Sequence, residues 1–316
     1  MNRRTFARNL AVGAGAAAAT AALPLHARTL AGQAAAAAAT EAPPTPWQLS
    51  VMLWTVFTKL PIQQRLENVA QAGYKHIELV GEFKKWSESD FQDVLKTRDR
   101  LGLSFDASAG LGGSLTDPRR RDALLAEVQG LMPTFERLQI ASLIIVPGNA
   151  VPGQPRYVQH QSIIDGLSKM IEITEPHGVS ILVENIDPKE RPPVYLTSVA
   201  EGIEIIRTVN HPKVKLLCDF YHEQIAEGDL ISKLETGLDQ IGLFHIADVP
   251  GRHEAGTGEI NYANIYKKLA ELGYNRWMAM EYYPTYDQIQ SLIAARQFAA
   301  ASAALAGKPF QPNTSS

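Results

Sequence analysis

From Trp47 onward, short apolar or β-branched runs alternate eight times with helical patterns, and no long linker interrupts them. Nothing else in the chain limits its fold so strongly. Parallel strands cannot be joined by a tight hairpin; each needs a crossover of about a dozen residues or more, usually a helix. The runs lie at 48–54, 76–80, 104–110, 142–148, 180–186, 214–220, 241–247 and 276–283, each of strand length. Helical patterns occupy 62–72, 89–101, 122–138, 159–177, 197–209, 229–238, 262–272 and 286–305. Gly73, Gly102, Gly178 and Gly273 follow four of these helices, in the left-handed closing position that glycine takes without steric cost. An open doubly wound sheet more often has about five to seven strands. Eight units over about 250 residues is the size of one closed barrel. The expected fold is a single (β/α)8 TIM barrel over residues 47–316, with no second domain.

The segment before the barrel reads differently. Arg3, Arg4 and Arg8 precede a chargeless, Ala-rich stretch from Asn9 to Ala27, the order of an export signal. Asn2-Arg3-Arg4-Thr5-Phe6-Ala7 resembles a twin-arginine motif, which implies passage of the folded protein through the twin-arginine translocon. A membrane anchor is the competing reading, but the stretch is short, weakly apolar and holds Pro24. Gly13-Ala14-Gly15 opens no strand-turn-helix unit and so is no dinucleotide fingerprint. Residues 1–27 are therefore expected to be an export signal, 28–46 a flexible lead-in rich in Ala, Thr and Pro, and the mature protein periplasmic or otherwise exported.

Charge and sulfur narrow the partners. Loss of residues 1–27 removes three arginines and no acids, which takes the formal charge from -3 to -6. An acidic mature chain does not suit nucleic acid. The one dense basic run, Arg119 to Arg121, follows Asp117-Pro118 and reads as a solvated first helical turn. The single cysteine, Cys218, cannot form an internal disulfide, so packing must supply the stability.

In a barrel of this type the active site lies where strands end and loops begin. Four consecutive strand candidates each place one ionisable group in an apolar run: Glu184, Asp219, His245 and Glu281. Four such groups in one barrel mouth would be very costly unless they serve one another or a cation. Three carboxylates and one imidazole suit a hard or borderline divalent ion such as Mn²⁺ or Mg²⁺. Singly, each residue has a plainer reading: His245 as a core histidine, Asp219 as a cap for the next turn, Glu184 as a backbone partner, Glu281 as half of an ion pair.

The same residues carry a resemblance. Val183-Glu184-Asn185-Ile186, Cys218-Asp219-Phe220-Tyr221-His222-Glu223-Gln224, the run from His245 to Glu254, the run from Gly256 to Tyr262, and Met280-Glu281-Tyr282 resemble the hydroxypyruvate isomerase-like and ketose 3-epimerase-like branch of the xylose isomerase-type barrels. The resemblance covers essentially all of 47–301. It implies that Glu184, Asp219, His245 and Glu281 hold one metal ion, that Glu184 and Glu281 also exchange protons with substrate, and that His222 and Arg252 contact substrate oxygens. It also implies that barrels of this kind pair, although no face of this sequence is marked for it. One departure matters: enzymes closest to hydroxypyruvate isomerase can carry glutamine at the seventh strand, whereas His245 follows the ketose epimerases.

The expected chemistry is proton transfer beside a carbonyl, where a metal stabilises enediolate charge and two glutamates act on the carbon skeleton. Return of the proton to the neighbouring carbon makes an isomerase, as from hydroxypyruvate to tartronate semialdehyde; return to the opposite face makes an epimerase. Arg252 is the candidate clamp for a substrate carboxylate, with a loop salt bridge as its alternative and Glu254 as a support. Glu78 ends an early strand and could line the mouth, although a pairing behind the site or a structural one is the preferred reading; Asn149 is left open, and Trp54, Phe57 and Trp86 are candidate pocket walls. An exported location also keeps open a ketose or keto-glycoside epimerase or lyase, and a non-catalytic metal- or sugar-binding barrel. A metal-dependent endonuclease would need more histidines and a basic groove.

Overall fold

A computed structural model describes residues 44–307. The expected export signal at 1–27 and the lead-in as far as residue 43 lie outside the described residues. Within them, eight parallel strands close into a barrel in chain order: β1 Gln48–Met52, β2 His76–Leu79, β3 Ser104–Ser108, β4 Ser142–Ile145, β5 Ser180–Glu184, β6 Val214–Asp219, β7 Ile241–Ile246 and β8 Trp277–Met280. Residues Gln48 to Val51 of β1 pair with Trp277 to Met280 of β8, which completes the ring and leaves no free edge. No helix among the described residues is long and apolar enough to cross a membrane.

The helices are α1 Ile62–Gln71, α2 Glu88–Leu101, α3 Pro118–Leu138, α4 Arg156–Thr174, α5 Val199–Val209, α6 Phe220–Ala226, α7 Leu230–Gly237, α8 Tyr262–Glu271 and α9 Gln288–Ala304. Their ends follow local chemistry. Ser87 and Asp90 form a reciprocal capping box that opens α2, and Asp117 with Pro118 opens α3, so Arg119 to Arg121 do occupy a first turn. Eight helices fall where the periodicity places them, within about four residues, and a 3-10 turn at Glu175–His177 carries α4 on to its expected end. The additional one, α6, is only two turns long, and Asp219 caps it by accepting from the Tyr221 and His222 amides.

Every strand starts within a residue of its expected position, but the ladders end sooner than the apolar runs. Val146 and Ile186 lie beyond the last ladder residues of β4 and β5 and line a cavity at the barrel's C-terminal end. Inside the barrel, Met52, Ala107, Ile144, Leu182, Leu217, Leu243 and Ala279 form one packed layer. Side chains in a strand alternate between its faces, so the residue two positions further on also points inward. That rule places Glu184 after Leu182, Asp219 after Leu217, His245 after Leu243 and Glu281 after Ala279.

Candidate active site

The four inward residues that follow this layer converge. Glu184, Asp219, His245 and Glu281 are all buried, and one ligand atom from each lies within 4.8 Å of every other. Register contributes directly, since Asp219 pairs with His245 along β6 and β7. His245 Nδ1 stands 2.8 Å from Glu281 Oε2 and 3.4 Å from Glu184 Oε1. The closer approach is not aligned as a hydrogen bond, so Nδ1 is a fully buried nitrogen without a hydrogen-bond partner. On the far side of the ring, Nε2 lies 2.9 Å from Glu78 Oε2.

Arg252 enters from the β7–α8 loop, held there by Asp248, whose carboxylate accepts from the amides of Val249, Gly256 and Ile260. Its Nη2 donates to Glu281 Oε2 at 2.6 Å and to Asp219 Oδ2 at 3.2 Å. Glu254 does not support it: that carboxylate accepts from Thr285 and Ser291 instead. His222 Nδ1 is tied to the buried Asp187 at 2.7 Å, which turns Nε2 toward Arg252 Nη1, 3.2 Å away. The Trp54 indole donates to Glu281 Oε1 at 2.7 Å.

The charges shift one another in a consistent way. Burial opposes ionisation of Glu281, yet His245 and Arg252 hold its carboxyl well below the usual range. Burial equally opposes charge on His245, but Glu281 and Glu78 raise its imidazole well above the ordinary value. For Asp219 burial wins over His222 and Arg252, and its carboxyl is pushed up to about 6. Three buried carboxylates around one orphaned imidazole nitrogen form an oxygen-rich donor set that fits a divalent ion.

Glu184 and Glu281 of this cluster line a cavity of about 550 Å³, walled also by Trp54, Glu190, His222 and Arg252. Asn149 also lines it, while Phe57 does not; Trp86 packs edge-on against Phe83 and Phe91. Three further residues escape the sequence reading. Glu190 accepts from the Tyr221 hydroxyl at 2.6 Å and lies 3.4 Å from Arg252 Nη1. Asp187 orients His222, and Asp248 ties its loop. All three sit in loops after strand ends, where no periodicity marks them; an acid just past a barrel strand is the one available signal.

A family match now decides the wider relationship: residues 66–301 match the xylose isomerase-like TIM barrel. The chain belongs to that family. Among curated relatives of this xylose isomerase-like barrel, the 2-oxo-tetronate isomerase of Pectobacterium atrosepticum is 27% identical over 237 residues, 72% of this chain and 89% of that protein. The hydroxypyruvate isomerase of Escherichia coli K12 is 26% identical over 243 residues, 75% and 93% of the two chains. Among solved structures, the AP endonuclease, family 2, from Brucella melitensis aligns with a TM-score of 0.71 at 24% identity, over 78% of this chain and 96% of that one. That last likeness shows the shared fold alone. The relatives agree with the expectation of an enzyme of isomerase type.

Proposed function

We propose that this protein is a divalent metal-dependent isomerase of a small hydroxy-carbonyl acid, of the kind represented by hydroxypyruvate and 2-oxo-tetronate. The observation that carries the reading is that Glu184 and Glu281 both line the cavity and both approach His245 Nδ1, at 3.4 and 2.8 Å. Glu184, Asp219, His245 and Glu281 would hold the ion. When bound, the ion supplies Lewis-acid polarisation of a carbonyl and stabilises enediolate charge.

The chain's own groups supply the rest. Glu184 and Glu281 approach the same space from β5 and from the end of β8, so a substrate carbon between them meets one carboxylate as base and the other as acid. Trp54 and Arg252 fix the Glu281 carboxylate through one oxygen each, which sets its direction. His222, anchored by Asp187, presents Nε2 to a substrate oxygen. Arg252 Nη1 and Glu190 bound the far side of that oxygen's position.

A second reading rests on size. At about 550 Å³ the cavity is larger than a three-carbon acid fills. A ketose or keto-glycoside fits that space, with epimerisation by the same two glutamates. We also propose that residues 1–27 direct export, on the strength of Arg3-Arg4 and the chargeless stretch that follows. Replacement of both arginines by lysine should retain the protein in the cytoplasm, as read by cell fractionation.

The deciding experiment is solvent exchange in deuterated water, followed by NMR, with Mn²⁺-loaded protein. Hydroxypyruvate, 2-oxo-tetronate and a panel of ketoses would be offered separately. Metal-dependent incorporation with the acids supports the first reading, and incorporation with ketoses alone moves the assignment to an epimerase. No exchange with any compound would sink both.

A further inference from the structure

Glu78 of β2 and Asp106 of β3 are acidic residues buried in a barrel whose packed layer is otherwise apolar. Glu78 of β2 pairs in register with Met52 on one side and Ala107 on the other, so it occupies the packed layer beneath the four-residue cluster. It is fully buried, and its Oε1 has no partner. A carboxyl at such a position costs several kcal/mol unless something specific repays it. Its one hydrogen-bonded partner across the barrel is His245 Nε2, at 2.9 Å. Burial pushes the Asp106 carboxyl of β3 up and nearby Glu78 adds to the shift, but Asp106 accepts from Ser50 rather than from the imidazole.

The chemistry of imidazole makes this contact directional. A neutral ring carries one N–H and one lone pair, and whichever nitrogen donates leaves the other to accept. A carboxylate oxygen at Nε2 accepts, so when the ring gives up a proton, as a cation at Nδ1 requires, the N–H stays on Nε2 and the lone pair falls to Nδ1. Nδ1 is the buried, unpartnered nitrogen that faces Glu184 and Glu281. We propose that Glu78 is a positioning residue: by holding Nε2–H it fixes the tautomer and orientation of His245, so that Nδ1 is the atom offered to a divalent ion. This rests on the reading of the cluster as a metal site. Carboxylates behind metal-bound histidines act in this way in general, and their loss costs roughly 10–100-fold in metal affinity.

The test compares Glu78→Gln, which keeps an acceptor at the same place, with Glu78→Met, which fills the space without one. Mn²⁺ binding to each full-length protein is measured by calorimetry, thermal unfolding is measured on the chelated protein, and ¹⁵N NMR of the labelled histidines in the metal-free protein, at a pH high enough to leave the ring neutral, reports the His245 tautomer. Glu78→Gln should bind Mn²⁺ within a few fold of wild type and keep the proton on Nε2. Glu78→Met should bind roughly 10–100-fold more weakly, with a mixed tautomer and a metal-free melting temperature no lower than wild type. Wild-type affinity in Glu78→Met would overturn the proposal, as would weaker binding that merely tracks a loss of metal-free stability. Failure of the wild type to bind Mn²⁺, Mg²⁺ or Zn²⁺ would instead overturn the metal reading, and this inference with it.

Discussion

The two halves of the barrel mouth are built on one backbone plan and filled with opposite chemistry. Two residues beyond the packed layer, β5 to β8 lead to Glu184, Asp219, His245 and Glu281. The corresponding residues after β1 to β4 are Trp54, Val80, Ala109 and Val146, all of which line the same cavity. All eight follow the packed layer by two positions, so place along the strands does not separate the halves. Side-chain chemistry does: one half gathers charge, and the other lines the cavity with Trp54 and three aliphatic side chains.

The sharpest way to break this contrast is to take away the ion proposed for the charged half. Extraction with a strong chelator should abolish turnover, and Mn²⁺ should restore it; turnover that persists in protein shown metal-free by elemental analysis would contradict the assignment. Next in size, Glu184→Gln and Glu281→Gln should each lower kcat by about 10²–10⁴-fold, the usual range for general acid–base groups. Val146→Ala on the apolar side should cost less than about tenfold. Equal losses on both sides would mean that the contrast carries no catalytic weight.

Two smaller effects, opposite in sign, concern the metal-free protein. Arg252 pairs with Glu281 and Asp219, so Arg252→Ala leaves buried carboxylates short of a partner and should lower stability in urea by about 3 kcal/mol. Mn²⁺ should recover much of that loss. For Asp219 the raised carboxyl works the other way. Between its ordinary value of 3.8 and about 6 the folded chain binds the extra proton, so this group's stabilising contribution is complete at low pH and is lost as pH rises through 6. At pH 7.5, metal-free Asp219→Asn should therefore exceed wild type by about 1–3 kcal/mol, at 1.36 kcal/mol for each pH unit. The advantage should shrink toward zero as pH falls to about 4, and urea titrations at several pH values would show whether it does.

The charged half was legible in the sequence because each of its members interrupts an apolar run at a strand's end. Asp219 is open to two readings, ligand or cap, and the structure shows the cap: one oxygen accepts from the α6 amides while the other faces Arg252. Helix α6 itself was missed because two turns are too few to establish a period. Strand ends were overextended because Val146 and Ile186 are apolar for the cavity's sake, not for the ladder's. Glu254 was assigned to Arg252 on closeness in sequence, but the loop turns it toward Thr285 and Ser291.

The amino-acid order alone determines the eightfold strand-helix alternation, the glycine stops and the inward direction of the four strand-end residues. These are local properties, set by backbone period and by residues next to one another in the chain. The tertiary structure alone decides which distant groups meet. Closure of the barrel brings Trp54 to Glu281 across 227 positions and Glu78 to His245 across 167. Such pairings depend on register and curvature summed over the whole ring, and no short stretch of sequence contains them.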